Sequence, residues 1–157
     1  MRLKRLSVSF LNTTDENESG PGFGAYMGTH FALSDKSRFD VMLGVKRLAD
    51  IEIETAASTF TDTTMSYQVV SRFGRDLGGF DLMFKLGGHY WSTERDLVAG
   101  QDVSASGVGF LYGLGADAWV SEGVRLGLDY TYYNMENTSK GYDAGLGTVD
   151  LNLSFVF

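Results

Sequence analysis

The sequence predicts an all-β fold, an eight-stranded antiparallel up-and-down barrel, on three observations. Eight stretches alternate apolar with polar residues at the two-residue period of a strand whose faces differ. The connections between them run long, short, long, short, long, short, long. In an up-and-down sheet alternate connections share an end, so the short turns fall on one rim and the long loops on the other. The last stretch, Gly145 to Phe157, has one wholly apolar face. Such a terminal strand needs a partner on both edges, which closure onto the first strand supplies.

The first strand covers about Leu3 to Leu11, with Leu6, Val8 and Phe10 on one face and Arg5, Ser7 and Ser9 on the other. Asn12 to Gly22 is polar, acidic and turn-rich, hence a loop. The second strand, about Phe23 to Leu33, sets Phe23, Ala25, Met27 and Phe31 against Gly24, Tyr26, Gly28 and His30, and Ser34 to Ser37 turns tightly. The third starts near Arg38 and sets Phe39, Val41, Leu43 and Val45 against Asp40, Met42, Gly44 and Lys46. Its alternation continues through Ile51 and Ile53, as in a hairpin that outruns the apolar band. After a Ser/Thr-rich tip, the fourth sets Met65, Tyr67, Val69 and Phe73 against Ser66, Gln68, Val70 and Arg72.

Gly74 to Gly79 is a short connection to the fifth strand, where Phe80, Leu82, Phe84, Leu86 and Tyr90 oppose Asp81, Met83, Lys85, Gly87 and His89. A longer polar loop covers Ser92 to Ser104. The sixth strand opposes Val108, Phe110, Tyr112, Leu114 and Ala116 to Gly109, Leu111, Gly113, Gly115 and Asp117. Ser121 to Gly123 turns into the seventh, where Val124, Leu126, Leu128, Tyr130 and Tyr132 oppose Arg125, Gly127, Asp129, Thr131 and Tyr133. Asn134 to Asp143 is the last loop. The eighth strand sets Val149, Leu151, Leu153, Phe155 and Phe157 against Thr148, Asp150, Asn152 and Ser154.

Composition agrees. At 157 residues the chain, 1–157, is expected to be one domain, with 20 Gly, one Pro and 13% aromatic residues and no helical apolar period. The absence of Cys excludes disulfides and thiolate chemistry. A formal charge of −7 argues against nucleic acid, which asks for a basic stripe. No run approaches the roughly 18 apolar residues of a membrane-spanning helix, which leaves spanning strands untouched. MRLKRLSVSF has a charged start but neither an h-region nor a cleavage site, so an exported protein is represented here by a mature or truncated form.

Volume and charge decide which face is inside. An eight-stranded barrel has room only for side chains in its lumen. The polar face carries Gly24, Gly28, Gly44, Gly87, Gly109, Gly113, Gly115 and Gly127, and the bulky apolar face fits better outside. The polar face also holds Arg5, Asp40, Lys46, Arg72, Asp81, Lys85, Asp117, Arg125, Asp129 and Asp150, five of each sign. Buried charges must pair, so a near-neutral set suits a lumen plugged by ion pairs and hydrogen bonds. Phe31, Phe39, Phe73, Phe80 and Phe157 fall beside the short turns, and Phe10, Tyr67, Tyr90 and Tyr132 towards the long loops. Two such groups flanking an apolar band read as interfacial girdles, and the barrel as transmembrane.

The terminal alternation ending in Phe157, with strings such as FLYGLGADAW and VRLGLDYTYYN, resembles the small eight-stranded bacterial outer-membrane barrels of the OmpA, OmpX and NspA type. The resemblance covers nearly the whole chain. It implies a Gram-negative outer membrane, contact with its lipid and lipopolysaccharide, and recognition of Leu153, Phe155 and Phe157 by the barrel assembly machinery. The chain departs from the OmpA pattern in that no peptidoglycan-binding domain follows the barrel, which removes that tether.

Some barrels of this class modify lipid A, which needs a nucleophile and base near the outer leaflet. Only His30 and His89 are available as imidazole bases, both of inward parity, and neither has a His-Ser motif nearby; no catalytic residue is assigned. The acidic residues Asp15, Glu16, Glu18, Glu52, Glu54, Asp62, Glu94, Asp96, Asp102, Glu136 and Asp143 read as solvated charge, and DENE matches no calcium-loop spacing. The Gly-rich strings precede no helix and are not phosphate loops, so no cofactor or metal is expected. A lipocalin-like carrier would show Gly-x-Trp near its first strand, which is absent. The expected role is non-enzymatic, in envelope integrity, surface interaction or adhesion through four external loops, with a narrow solute conduit as the alternative.

Overall fold

The computed structural model describes residues 2–13, 21–55, 58–96, 103–137 and 142–157. Eight strands follow in order: β1 (Arg2–Thr13), β2 (Pro21–Ser34), β3 (Ser37–Thr55), β4 (Ser58–Asp76), β5 (Asp81–Asp96), β6 (Val103–Ser121), β7 (Val124–Asn137) and β8 (Tyr142–Val156). Each pairs antiparallel with its chain neighbours, and β1 pairs with β8, Arg5 opposite Val156 through Thr13 opposite Thr148. The sheet is therefore a closed barrel.

The strands outrun their expected limits at the loop end. β3 and β4, 19 residues each, stay paired out to Thr55 opposite Ser58, while β2 leaves β3 at Phe23 opposite Arg47. The Ser/Thr-rich tip expected between them is strand, because β-branched Thr59, Thr61, Thr63 and Thr64 favour extended backbone and the two-stranded ribbon satisfies its own hydrogen bonds. Parts of the expected loops Ser92 to Ser104 and Asn134 to Asp143 are likewise strand, since β5 reaches Asp96, β6 starts at Val103, β7 reaches Asn137 and β8 starts at Tyr142. Most of the Asn12 to Gly22 loop, with Asp15, Glu16 and Glu18, lies outside the described residues, as do Asp102 and the side chains of Glu52, Glu54, Asp62, Asp96 and Asp143.

The opposite rim is compact. Two residues join β2 to β3 and two join β6 to β7, and residues 77–80 join β4 to β5. Gly78, Gly79 and Gly123 take φ of 89°, 147° and 75°, the region where a Cβ is penalised. Asp76 Oδ1 accepts from Gly78 N at 2.7 Å, and Asp76 N donates to Lys36 O at 2.8 Å, tying adjacent turns together.

Parity sorts the side chains as alternation requires. Outside, Met27, Leu43, Val69, Leu86, Leu114, Leu128 and Leu151 are exposed over an apolar band. Aromatic pairs sit across strand boundaries towards its edges: Phe31 and Phe39 at 6.4 Å, and Tyr67 and Tyr90 at 6.5 Å between centroids. The side chain of Phe10, expected in the loop-end girdle, lies outside the described residues. Inside, a Cβ at Gly44 would collide with the Tyr26 ring, so the glycine opens room for an aromatic residue in the lumen.

Candidate functional site in the barrel lumen

The lumen is filled in two layers. At the short-turn end lie Arg5, Arg38, Asp40, Arg72, Asp81, Asp117 and Arg125, all buried. Strand starts set their height: Arg38 follows the first residue of β3, Asp81 opens β5 and Arg125 follows the first residue of β7. Arg5 Nη1 reaches Asp40 Oδ2 at 2.9 Å, and its Nη2 reaches Asp117 Oδ2 at 3.2 Å and Ser154 Oγ at 2.9 Å. Arg38 Nη2 reaches Asp117 Oδ1 at 2.7 Å, Arg125 Nη2 reaches the same oxygen at 2.5 Å, and both arginines also contact Asp81. His30 Nδ1 lies 2.6 Å from Asp40 Oδ1.

Above this, Asp129 Oδ2 accepts from Lys85 at 3.0 Å and Arg72 at 3.4 Å. Met83 Sδ lies 2.9 Å from Arg38 Nη2 and 3.0 Å from Arg72 Nη2, a soft acceptor between two guanidinium groups that also reach Asp117 and Asp129. Lys46, fully buried, points its three donors at Asp150 Oδ2 (2.6 Å), Tyr133 OH (3.0 Å) and Thr148 Oγ1 (3.3 Å).

At the loop end the lumen turns apolar: Leu48, Val70, Trp91, Leu111, Tyr133, Met135 and Leu146 form one buried cluster, with Tyr26 and Ala105 packed against it. Tyr133 joins the layers, its hydroxyl on Lys46 and its ring edge-on to His89 at 5.3 Å.

The structure thus places all ten sequence-predicted lumen residues inward, as Arg5, Asp40, Lys46, Arg72, Asp81, Lys85, Asp117, Arg125, Asp129 and Asp150 each make the contacts above. Among the described residues it adds Arg38, which turns five cations into six against five carboxylates. The missed signal was parity: Arg38 shares the face of Asp40. Trp91 escaped for the same reason, because β5 continues past Tyr90 in the register of His89. Leu153, Phe155 and Phe157 lie on the outer face of β8 and just beyond it, Phe157 being 69% exposed.

Both histidines are hydrogen-bonded inside the barrel, His30 to Asp40 and His89 to the Asn134 carbonyl. His89 Nε2 lies 2.9 Å from the Asn134 carbonyl, which only accepts, so Nε2 carries the proton and Nδ1 accepts from Ser66 Oγ at 3.1 Å. This His-Ser contact is invisible in sequence because it spans adjacent strands, and both side chains are sealed in the lumen. Among the described residues no three of His, Cys, Asp and Glu gather to hold a metal ion.

A closed eight-stranded barrel with an apolar exterior and a charge-filled interior defines the small outer-membrane barrel class. The sequence profile of the outer membrane protein beta-barrel domain matches residues 3–157, and the chain belongs to that family. It resides in a bacterial outer membrane, so the outward apolar band faces lipid. Neisserial surface protein A superposes with a TM-score of 0.68 at 14% identity, covering 99% of this chain and 97% of that one. Ail, the attachment invasion locus protein of Yersinia pestis, solved with the heparin analogue sucrose octasulfate, gives 0.63 at 16% identity over 99% and 97%. The outer membrane enzyme PagL gives 0.58 at 13% identity over 96% and 98%. No curated protein sequence matches the chain.

Proposed function

We propose that this protein is a closed, non-enzymatic barrel that serves envelope integrity or surface interaction through its loop-bearing end. The observation that carries this reading is the doubly filled lumen. A conduit needs a continuous wet path, whereas here an apolar cluster and a lattice of ion pairs lie in series, and the cavity between them has a volume of only about 20 Å³. Against enzyme activity stands the position of the Ser66–His89 contact. Both groups face inward, and a lipid substrate reaches only the outer face.

The paired extension of β3 and β4 carries the surface role. Its sequence holds Asp50, Glu52, Glu54 and Asp62, a charge that repels a sulfated polyanion of the kind bound to Ail and suits a cationic partner, or lipopolysaccharide bridged by divalent ions. The outward Leu153, Phe155 and Phe157 form the signal read by the barrel assembly machinery.

In planar bilayers the folded protein should give no resolved conductance steps, and cells carrying the Glu52→Gln, Glu54→Gln, Asp62→Asn variant should lose surface adherence or detergent resistance. Steady single-channel steps would replace this reading with a pore. Full retention of both cell properties would remove the role of the ribbon.

A further inference from the structure

We infer that the free edge of β3 beyond the barrel, residues 51–55, takes up an extended segment of a partner protein as an added strand, one in which basic residues alternate with apolar ones. This rests on the surface role proposed for the β3–β4 extension and names the partner that extension fits.

The edge is defined by where pairing stops. β2 leaves β3 at Phe23 opposite Arg47, whereas β4 follows β3 out to Thr55 opposite Ser58. Among the described residues no strand covers the other edge of β3 beyond Arg47. The far edge of β4, by contrast, is covered by β5 as far as Thr61 opposite Asp96. In an antiparallel ladder every second residue turns its N–H and C=O away from the partner strand, so β3 presents a row of backbone donors and acceptors. Such a row is the template on which strand addition works.

A bulge decides which residues flank that row. Between the pairs Leu48–Thr64 and Ile51–Asp62, β3 advances three residues while β4 advances two. Directly opposed residues share a face, and so do Thr64 and Asp62, two apart on β4. The register therefore puts Ile51 and Ile53 on the lumen-side face with Leu48, and Glu52 and Glu54 on the outer face. Without the bulge the two sets would change places, because Ile51 and Ile53 have the parity of outward Val45. On β4, Phe60 opposes Ile53, while Thr61 and Thr59 oppose Glu52 and Glu54.

This alternation selects the partner. An added strand gains most with lysine or arginine beside Glu52 and Glu54 and a β-branched or aromatic residue beside Ile51 and Ile53. A second copy of this chain is disfavoured at the same edge. Two copies paired antiparallel about Ile53 set Glu52 of each opposite Glu54 of the other, and like charges repel. The net charge of −7 works in the same direction, against self-association and towards a basic segment.

The test places the whole barrel in nanodiscs of zwitterionic lipid, adds a short peptide of alternating lysine and valine, and reads amide hydrogen exchange at residues 51–55. In the free protein every second amide there should exchange fast, and the peptide should slow those amides at least about tenfold. The same peptide with every backbone nitrogen methylated keeps its charge but cannot form the ladder, and should leave exchange unchanged. In the Glu52→Gln, Glu54→Gln variant the unmethylated peptide should bind about fivefold more weakly, the worth of two exposed ion pairs. Slow exchange of all these amides in the free protein would show the edge already covered, and equal binding of the methylated peptide would reduce the contact to charge attraction. Either result overturns the inference, as does an affinity that ignores the two glutamates. Full adherence of cells carrying the Glu52→Gln, Glu54→Gln, Asp62→Asn variant sinks the ribbon's surface role alone, and failure of the peptide to protect residues 51–55 sinks this inference alone.

Discussion

The two halves of the lumen exclude solvent by opposite means. The short-turn half does it with charge: Asp117 on β6 gathers Arg5 from β1, Arg38 from β3 and Arg125 from β7, which ties together strands that are not neighbours in the sheet. The loop half does it with apolar side chains, Trp91 and Leu111 being wholly buried. The difference follows from what each half needs. Both halves share the lipid-facing band outside, so what distinguishes them is the lumen, where the loop half buries apolar side chains. The charged half contributes direction instead, because every ion pair there has a fixed partner and a wrong register strands a charge.

The sharpest way to break the comparison is to remove the charge hub. In Asp117→Asn, the guanidinium groups of Arg5, Arg38 and Arg125 lose a shared buried acceptor, and breaking a buried pair costs about 3–5 kcal/mol. Urea unfolding in phospholipid vesicles, followed by tryptophan fluorescence, should show a loss of that size. Asp81→Asn is the internal control: its side chain is more exposed, at 12% against 2% for Asp117, so its loss should be the smaller of the two. Equal losses would mean that general charge balance, rather than the geometry of Asp117, holds this half together.

Next in size is a cavity in the loop half. Leu111→Ala empties a fully buried site beside Val70, Tyr133 and Met135, and the expected cost is about 2–3 kcal/mol, at the lower end of the usual range because Met135 can shift into the gap. The same unfolding assay measures it. A cost under about 1 kcal/mol would show that the apolar cluster is loosely packed and that the charged half alone carries stability.

Much of this contrast was legible in the sequence, and its failures have physical causes. Strand count, order and facing followed from a strict period of two, which survives wherever one face meets lipid, as at Leu82, Phe84 and Leu86. The alternation of short and long connections gave the rims. The apolar layer was legible only in part: Val70, Leu111 and Tyr133 show inward parity, but Trp91, Met135 and Leu146 lie where the outer face has turned polar with the end of the lipid band, and there the period no longer separates strand from loop. Arg38 was missed at a strand start, where a turn and a strand share composition. Which charges pair could not be read at all: Arg5 and Asp117 are 112 residues apart and meet only because the barrel closes.

The subtlest test moves the boundary itself. Lys46 and Asp150 are the ion pair nearest the apolar cluster, with a separation of 2.6 Å and virtually no exposure. Lys46→Met alone strands Asp150, whose ionised Oδ2 would keep only the Thr148 hydroxyl at 3.5 Å, and should cost several kcal/mol. Adding Asp150→Leu removes the stranded charge, and no other group is abandoned: Tyr133 OH still accepts from Gln68 Nε2 at 3.4 Å and Thr148 Oγ1 still reaches the Thr131 carbonyl at 3.4 Å. Replacing a whole buried pair by apolar side chains is often neutral, so the double variant should return to within about 1 kcal/mol of the parent. A double-mutant cycle in vesicles reads this as strong coupling between the two sites. Recovery would mean that the charged and apolar layers meet where packing allows. A double variant as unstable as the single would mean that Lys46 is required in its own right, holding Tyr133 and Thr148 in place, and that the boundary is fixed by hydrogen bonding.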